Sequence, residues 1–146
     1  MQLRSRNNKD LTRTYPPIRE AAVRLNADSV VLDGEIVAVD AKGRPSFQAL
    51  QHRAAHPGYA VVFYAFDVIY LDGHELTRLP LEERKARLPE VVDGSGILLS
   101  HALPGTAAQV IDAVQRLGLE GVIAKRKDSA YQAGLRIGIA YFLWVG

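Results

Sequence analysis

Two long runs of β-branched and aromatic residues, Ser29 to Asp40 and Ala60 to Leu71, dominate the sequence, and each carries carboxylates inside an otherwise apolar stretch. Runs of this composition read as strands, and the signals that close them, Gly43 with Pro45 and the pair Asp72-Gly73, read as turns. Alternation places Val31, Asp33, Glu35, Val37 and Val39 on one face of the first strand and Val30, Leu32, Ile36 and Ala38 on the other. Both faces are mostly apolar, so the strand is expected to be covered on both sides, with Glu35 facing a lined cavity. An acid in such a place is costly without a hydrogen-bond donor, a cation or a metal. A strand-end acid paired with a nearby arginine meets the same need and is the commoner arrangement.

The remaining elements follow from shorter signals. Pro16 and Pro17 suit the first turn of a helix that turns Ile18, Ala21, Ala22 and Leu25 to one side. Ser46 is a candidate cap for a helix over Phe47 to Arg53. In LPLEERKARL, Leu81, Arg84 and Leu88 share a helical face. Thr106 can cap AAQVIDAVQRL, where Ala107, Val110, Ile111, Val114 and Leu117 form a stripe and Gly118 provides a stop. Glu120 to Lys125 reads as a further strand.

With 146 residues, nearly half of them apolar, the chain suffices for one compact domain. It has no cysteine, which removes disulfides, thiolate metal sites and cysteine nucleophiles and fits a reducing cytosol. No apolar run is long enough to cross a bilayer, and MQLRSRNN lacks the apolar core of a secretory signal, so a cytoplasmic protein without a membrane partner is expected. Net charge is +2 overall, yet Met1 to Arg24 alone carries six basic residues against Asp10 and Glu20. That suits a polyanion, although on charge alone a solvated surface with counter-charges elsewhere in the fold is the favoured explanation.

Several residues bear on chemistry. Phe66 taken alone reads as a core aromatic. Asp67, which alternation groups with Val61, Phe63, Ala65 and Ile69, needs a hydrogen bond such as turn amides provide. Glu120 precedes Gly121 and stands close before Lys125-Arg126-Lys127, a combination suited to phosphate plus metal, or to an ordinary strand-end charge pair. His52, His56, His74 and His101 have no paired metal spacing. Ser5, Ser100 and Ser129 lack a nucleophile-elbow context, and Gly94-Ser95-Gly96 reads as a loop.

Taken in order, SRNNKDLTRTYPPI, LDGEIVAVD, VFYAFDVIYLDG, LPLEERKARL and LGLEGVIAKRKDSAYQAG resemble the adenylation domain of ATP-dependent DNA ligases, most closely the bacterial end-joining type. The resemblance covers about Gln2 to Gly134. It implies an α+β fold with antiparallel sheets and flanking helices, a partial nucleotidyltransferase domain of ATP-grasp-like character over 1–134, followed by a divergent apolar tail over 135–146. It also implies ATP and magnesium as cofactors and nicked double-stranded DNA as partner. A lysine would attack the α-phosphate of ATP, pass AMP to a DNA 5′-phosphate, and a 3′-hydroxyl would displace AMP. Such transfers need in-line positioning, cations on the phosphate oxygens and charge neutralisation by metal.

By position, Arg6 matches the basic residue of the family's S-R-N-G block and would touch the ribose or phosphate side. Asn8 stands where that block has glycine, and Asn tolerates left-handed backbone better than most residues. Glu35 matches the acid of D-G-E near ribose and metal, Phe66 the aromatic that stacks on adenine, and Glu120 the metal-binding acid. Lys125 matches a basic position of the last block. The nucleophilic K-x-D-G block does not occur in the chain, so no catalytic residue is assigned, and the W-L-K-x-K strand expected after YQAG is replaced by LRIGIAYFLWVG.

These readings predict a ligase fragment incompetent for self-adenylation unless a separate chain supplies the lysine. They also predict an unpaired sheet edge where the nucleophile strand would lie, with poor solubility. The alternatives are a non-catalytic nucleotide- or DNA-binding remnant, and an RNA ligase or capping-type nucleotidyltransferase. The tail, uncharged and β-prone, looks like an altered reading frame or a divergent terminus.

Overall fold

The computed structural model describes residues 1–101, 105–116, 125–132 and 141–145. Its two longest strands are those expected: β2 (Val30–Val39) and β3 (Ala60–Leu71) run antiparallel along their full lengths. Around them lie β1 (Gln2–Ser5), β4 (His74–Glu75), β5 (Leu98–Leu99) and β6 (Tyr141–Val145), in the order β1-β6-β2-β3-β4, with β5 pairing parallel to β3. The described residues thus form one mixed sheet instead of several antiparallel ones, within the α+β class that was expected. No helix among them is long and apolar enough to cross a membrane.

Helix α1 (Pro16–Ala22) starts on its proline pair and buries Ile18, Ala21 and Ala22. Ser46 caps α2 (Phe47–Gln51), its Oγ accepting from the Ala49 amide at 3.1 Å. A short 3₁₀ turn, Arg53–Ala55, follows where the helix was expected to continue. Leu81, Arg84 and Leu88 are all buried, as their shared face requires, but one helix does not carry them. The segment breaks into α3 (Leu81–Lys85) and α4 (Leu88–Val92). Pro89 explains the break: it has no amide to give, and its ring would collide with the carbonyl of Lys85.

Thr106 opens α5 (Ala107–Arg116) with a reciprocal cap, its amide donating to Gln109 Oε1 at 2.8 Å and its Oγ accepting from the Gln109 amide at 3.4 Å. The expected stripe on α5 is not sealed, because Ile111 is 52% exposed. Leu117, Gly118 and residues 120–124 of the expected final strand lie outside the described residues.

The core joins Leu32, Ile36, Phe63, Ala65 and Val68 of the sheet to Ile18, Ala22, Leu88, Val91 and Val92 of the helices. Leu3 of β1 belongs to it and is fully buried. The tail corrects one expectation: β6 lies between β1 and β2, pairing Gln2–Ser5 on one side and Val30–Gly34 on the other. That stretch of β2 therefore has no open edge, since an apolar, β-prone segment satisfies the same backbone groups as any other strand would.

Candidate nucleotide site

Two irregularities in the β2–β3 ladder decide what the sheet presents. The register runs Ile36↔Phe63, Glu35↔Tyr64, Gly34↔Ala65, then Asp33↔Asp67, so Phe66 is an extra residue without a partner in β2. Such a bulge places two consecutive side chains opposite one and re-aims them. Paired residues share a face, so Phe66 and Asp67 join Asp33 and Glu35, while Gly34, Ala65, Ile36 and Phe63 face the core. This corrects the expected grouping of Asp67 with Phe63 and Ala65: alternation fails at the inserted residue. A second shift between Val31 and Leu32 skips Ile69 in the same way.

Gly34 is required here. A Cβ at this position would stand 2.3 Å from the Tyr64 carbonyl oxygen and 2.4 Å from Phe63 Cε1. The Phe63 ring therefore crosses directly beneath the D-G-E turn of the strand, and any side chain would push β2 off its neighbour.

Sheet register also brings Arg6 to Glu35. Ser5 and Gly34 both lie opposite Tyr141, on either side of β6. The next residues, Arg6 and Glu35, thus follow at the same end of the sheet, two strand spacings or about 10 Å apart in backbone. Arg6 rides on a tight turn in which the Asn8 amide donates to the Ser5 carbonyl at 2.8 Å and the Ser5 amide to the Lys9 carbonyl at 2.9 Å. Asn8 has φ of 59°, the left-handed conformation that glycine would otherwise supply.

Beneath this end lies a buried polar network that sequence reasoning did not identify. Asp67 meets Arg84 through two parallel contacts, Nε to Oδ1 and Nη2 to Oδ2, each 2.8 Å, with both side chains almost wholly enclosed. Its partner is a guanidinium, not turn amides. Arg84 also donates to the carbonyls of Leu79 and Ser129. The signal available in the sequence was an arginine on the apolar stripe of Leu81 and Leu88, a place no charge occupies without a partner.

Asp33, directly across from Asp67, is 4% exposed. Burial pushes its carboxyl up to about 6, against the pull of the Lys125 ammonium and of the nearby Tyr131 hydroxyl and Gly34 amide; the neighbouring Asp67 adds to the rise. Its Oδ1 has no hydrogen-bond partner among the described residues. Tyr131 is shifted upward in turn, first by burial and then by Asp33.

Lys125 completes the group, its ammonium standing 4.4 Å from the centroid of the Phe66 ring. Phe66 is half-buried and Lys125 exposed, so the ring has an open approach. Glu35 and Phe66 thus share one face of the β2–β3 ladder, with Lys125 over the ring and Arg6 following Ser5 alongside Glu35, while Glu120 lies outside the described residues. No cluster of three or more metal-ligating side chains occurs among the described residues. A depression of about 400 Å³ is lined by Ser29, Val31, Ile69, Tyr70, Glu75 and Thr77, where β2 begins and β3 ends.

An aromatic ring with a cation on it, beside a buried acid with a free acceptor, suits a flat, anionic ligand bearing donors. The family described as ATP dependent DNA ligase domain matches residues 1–140. The multifunctional non-homologous end joining protein LigD of Mycolicibacterium smegmatis is 40% identical over 136 residues, covering 93% of this chain and 18% of that protein. A DNA ligase of Sulfolobus acidocaldarius is 35% identical over 158 residues, covering 97% of this chain and 26% of the relative. A solved structure of mycobacterial DNA ligase D complexed with ATP and MES superposes with a TM-score of 0.78 at 42% identity, over 91% of this chain and 44% of that one. This chain spans less than half the length of each.

Proposed function

Because the chain belongs to the ATP-dependent DNA ligase domain family, we propose that its 146 residues form the nucleotide-gripping part of an adenylation domain whose parent seals nicked double-stranded DNA. The observation that carries this reading is the bulge at Phe66, which turns the ring toward Asp33 and Glu35 and sets Lys125 above it. In this reading the purine of ATP stacks on Phe66 and Glu35 accepts hydrogen bonds from the ribose hydroxyls. Arg6, at the same sheet end, donates to the sugar or phosphate side, and Lys125 adds positive charge where the polyanion enters. Glu35 and Glu120 would hold magnesium, which when bound offsets charge on the phosphate oxygens.

The same reading separates binding from chemistry. Self-adenylation needs a lysine held at the α-phosphate, and the sequence contains no Lys-x-Asp-Gly. These residues by themselves would therefore bind nucleotide without forming lysyl-AMP, the lysine having to come from outside them. Calorimetry with ATP and AMP, together with ATP labelled at the α-phosphate, tests both halves. Binding that weakens about tenfold in Phe66→Ala, through loss of a stacked ring, is expected, with no protein-bound label. Heat-silent titration of the unaltered chain would overturn the binding half, and a stoichiometric adduct would overturn the other.

A further inference from the structure

Arg84 lies in α3 with 2% of its surface exposed, and a guanidinium taken that far from water must place its N–H groups on acceptors. It reaches three separate stretches of chain. Nε and Nη2 hold the two oxygens of Asp67 in β3, Nη1 donates to the Ser129 carbonyl at 3.1 Å, and Nη1 also meets the Leu79 carbonyl in the turn before α3. Asp67 directly follows the inserted Phe66. Ser129 belongs to residues 125–132, a stretch with neither helix nor strand, whose Lys125 ammonium stands 4.4 Å from the Phe66 ring centroid. That stretch has two further backbone ties, the Glu82 amide to the Lys127 carbonyl at 3.0 Å and the Tyr131 amide to the Thr77 carbonyl at 2.7 Å. Both reach the region that carries Arg84.

We propose that Arg84 is a positioning residue of the nucleotide site: one buried guanidinium fixes both the bulge that presents the Phe66 ring and the segment that sets Lys125 over it. The proposal rests on the reading of Phe66 as the purine platform. Simple alternation in β3 would put Asp67 on the side of Phe63 and Ala65. Its two-pronged hold on Arg84 favours instead the register with Phe66 inserted, which turns ring and acid to the face of Asp33 and Glu35. The lysine needs the second hold. An exposed lysine has a long, mobile stem, and its attraction to a ring face counts for little unless the backbone beneath it is fixed. An ammonium in place of Arg84 lacks the rigid fork that spans a carboxylate and two carbonyls together.

Two variants of the 146-residue chain test this by calorimetry against ATP. Arg84→Lys keeps the charge but loses the fork. Arg84→Met combined with Asp67→Leu removes both charges at once, so that no unpaired ion is left in the interior and the melting temperature should stay near that of the unaltered chain. ATP affinity should nevertheless fall about threefold to tenfold in both variants, with melting curves showing that each is folded. Unchanged affinity in the folded double variant would show that the ion pair serves stability alone, and would overturn the proposal while leaving the nucleotide reading intact. Asp67→Asn, the mildest change to the same hold, takes the place of either variant that fails to melt cooperatively.

A second measurement needs no nucleotide. The Lys125 ε-methylene protons should show an upfield ring-current shift that disappears in Phe66→Leu and shrinks in Arg84→Lys. An unaltered chain without that shift would overturn the proposal outright. If the unaltered chain shows the shift but binds no ATP, the nucleotide reading fails and the shift alone decides what Arg84 does. Its persistence in Arg84→Lys would sink the positioning role, and its loss would uphold it.

Discussion

Asp33 is the residue at which stability and site chemistry pull in opposite directions. Its carboxyl titrates at about 6 in the fold against 3.8 as a free side chain, because burial disfavours the charge. Between those values the folded chain holds a proton that the unfolded chain has released, so stability from this group is present at low pH and lost as pH rises through about 6. Replacing Asp33 by Asn removes the penalty. At pH 7.5 the variant should be more stable by up to about 3 kcal/mol, and the gain should shrink toward zero below pH 4. Urea unfolding of both proteins across pH 4 to 8 reads this directly, and a difference that stays constant with pH would show that the carboxyl is not the cause. The sequence shows Asp33 on the same strand face as Glu35, but it is Glu35, not Asp33, that reads there as the acid in an apolar strand demanding a partner. That Asp33 retains an unfilled oxygen was not legible, because it depends on the inserted Phe66 turning Asp67 and its arginine to the same face.

At the level of elements, local signals were read well and tertiary ones less so. Asp72-Gly73, the prolines of α1 and the caps at Ser46 and Thr106 act within a few residues, and the structure follows them. Phase was harder: one inserted residue in β3 reverses the side on which Asp67 lies, and one proline divides the helix that should have carried Leu81 through Leu88. Helix α5 shows what local signals can sustain alone. It packs little against the other described elements and leaves Ile111 exposed, so its cap matters more than its stripe. Thr106→Ala should lower the local stability of α5 by about 1 kcal/mol. Faster amide exchange from Gln109 to Ala113, with the global urea midpoint unchanged, is the expected signature. A matching fall in the global midpoint would mean that α5 unfolds with the core.

For the whole molecule, the unexpected part is how β1 is held. Leu3 of β1 is buried in the core, yet β1 reaches β2 through β6. The amide of Leu3 is committed to Thr12 Oγ1 at 3.0 Å and its carbonyl to the Leu11 amide at 2.8 Å. Leu143, opposite Leu3, therefore directs its own amide the other way, toward Leu32 of β2. A proline there removes that donor from an interior strand, where no solvent replaces it, and distorts the backbone between two neighbours. Leu143→Pro should cost about 3 kcal/mol or more, a large share of the roughly 5–15 kcal/mol that holds a domain together. Because Arg6 and Glu35 are aligned by the pairing of Ser5 and Gly34 with Tyr141, the same substitution should also weaken ATP binding, although Leu143 lies two residues from that alignment. The two effects can be read on one sample: a lower urea midpoint with faster exchange of the Gln2 and Arg4 amides, and a larger dissociation constant for ATP under conditions where the variant remains folded. An unchanged midpoint with protected Gln2 and Arg4 would mean that β6 does not bind β1 to the sheet, and the alignment of Arg6 with Glu35 would lose its structural basis.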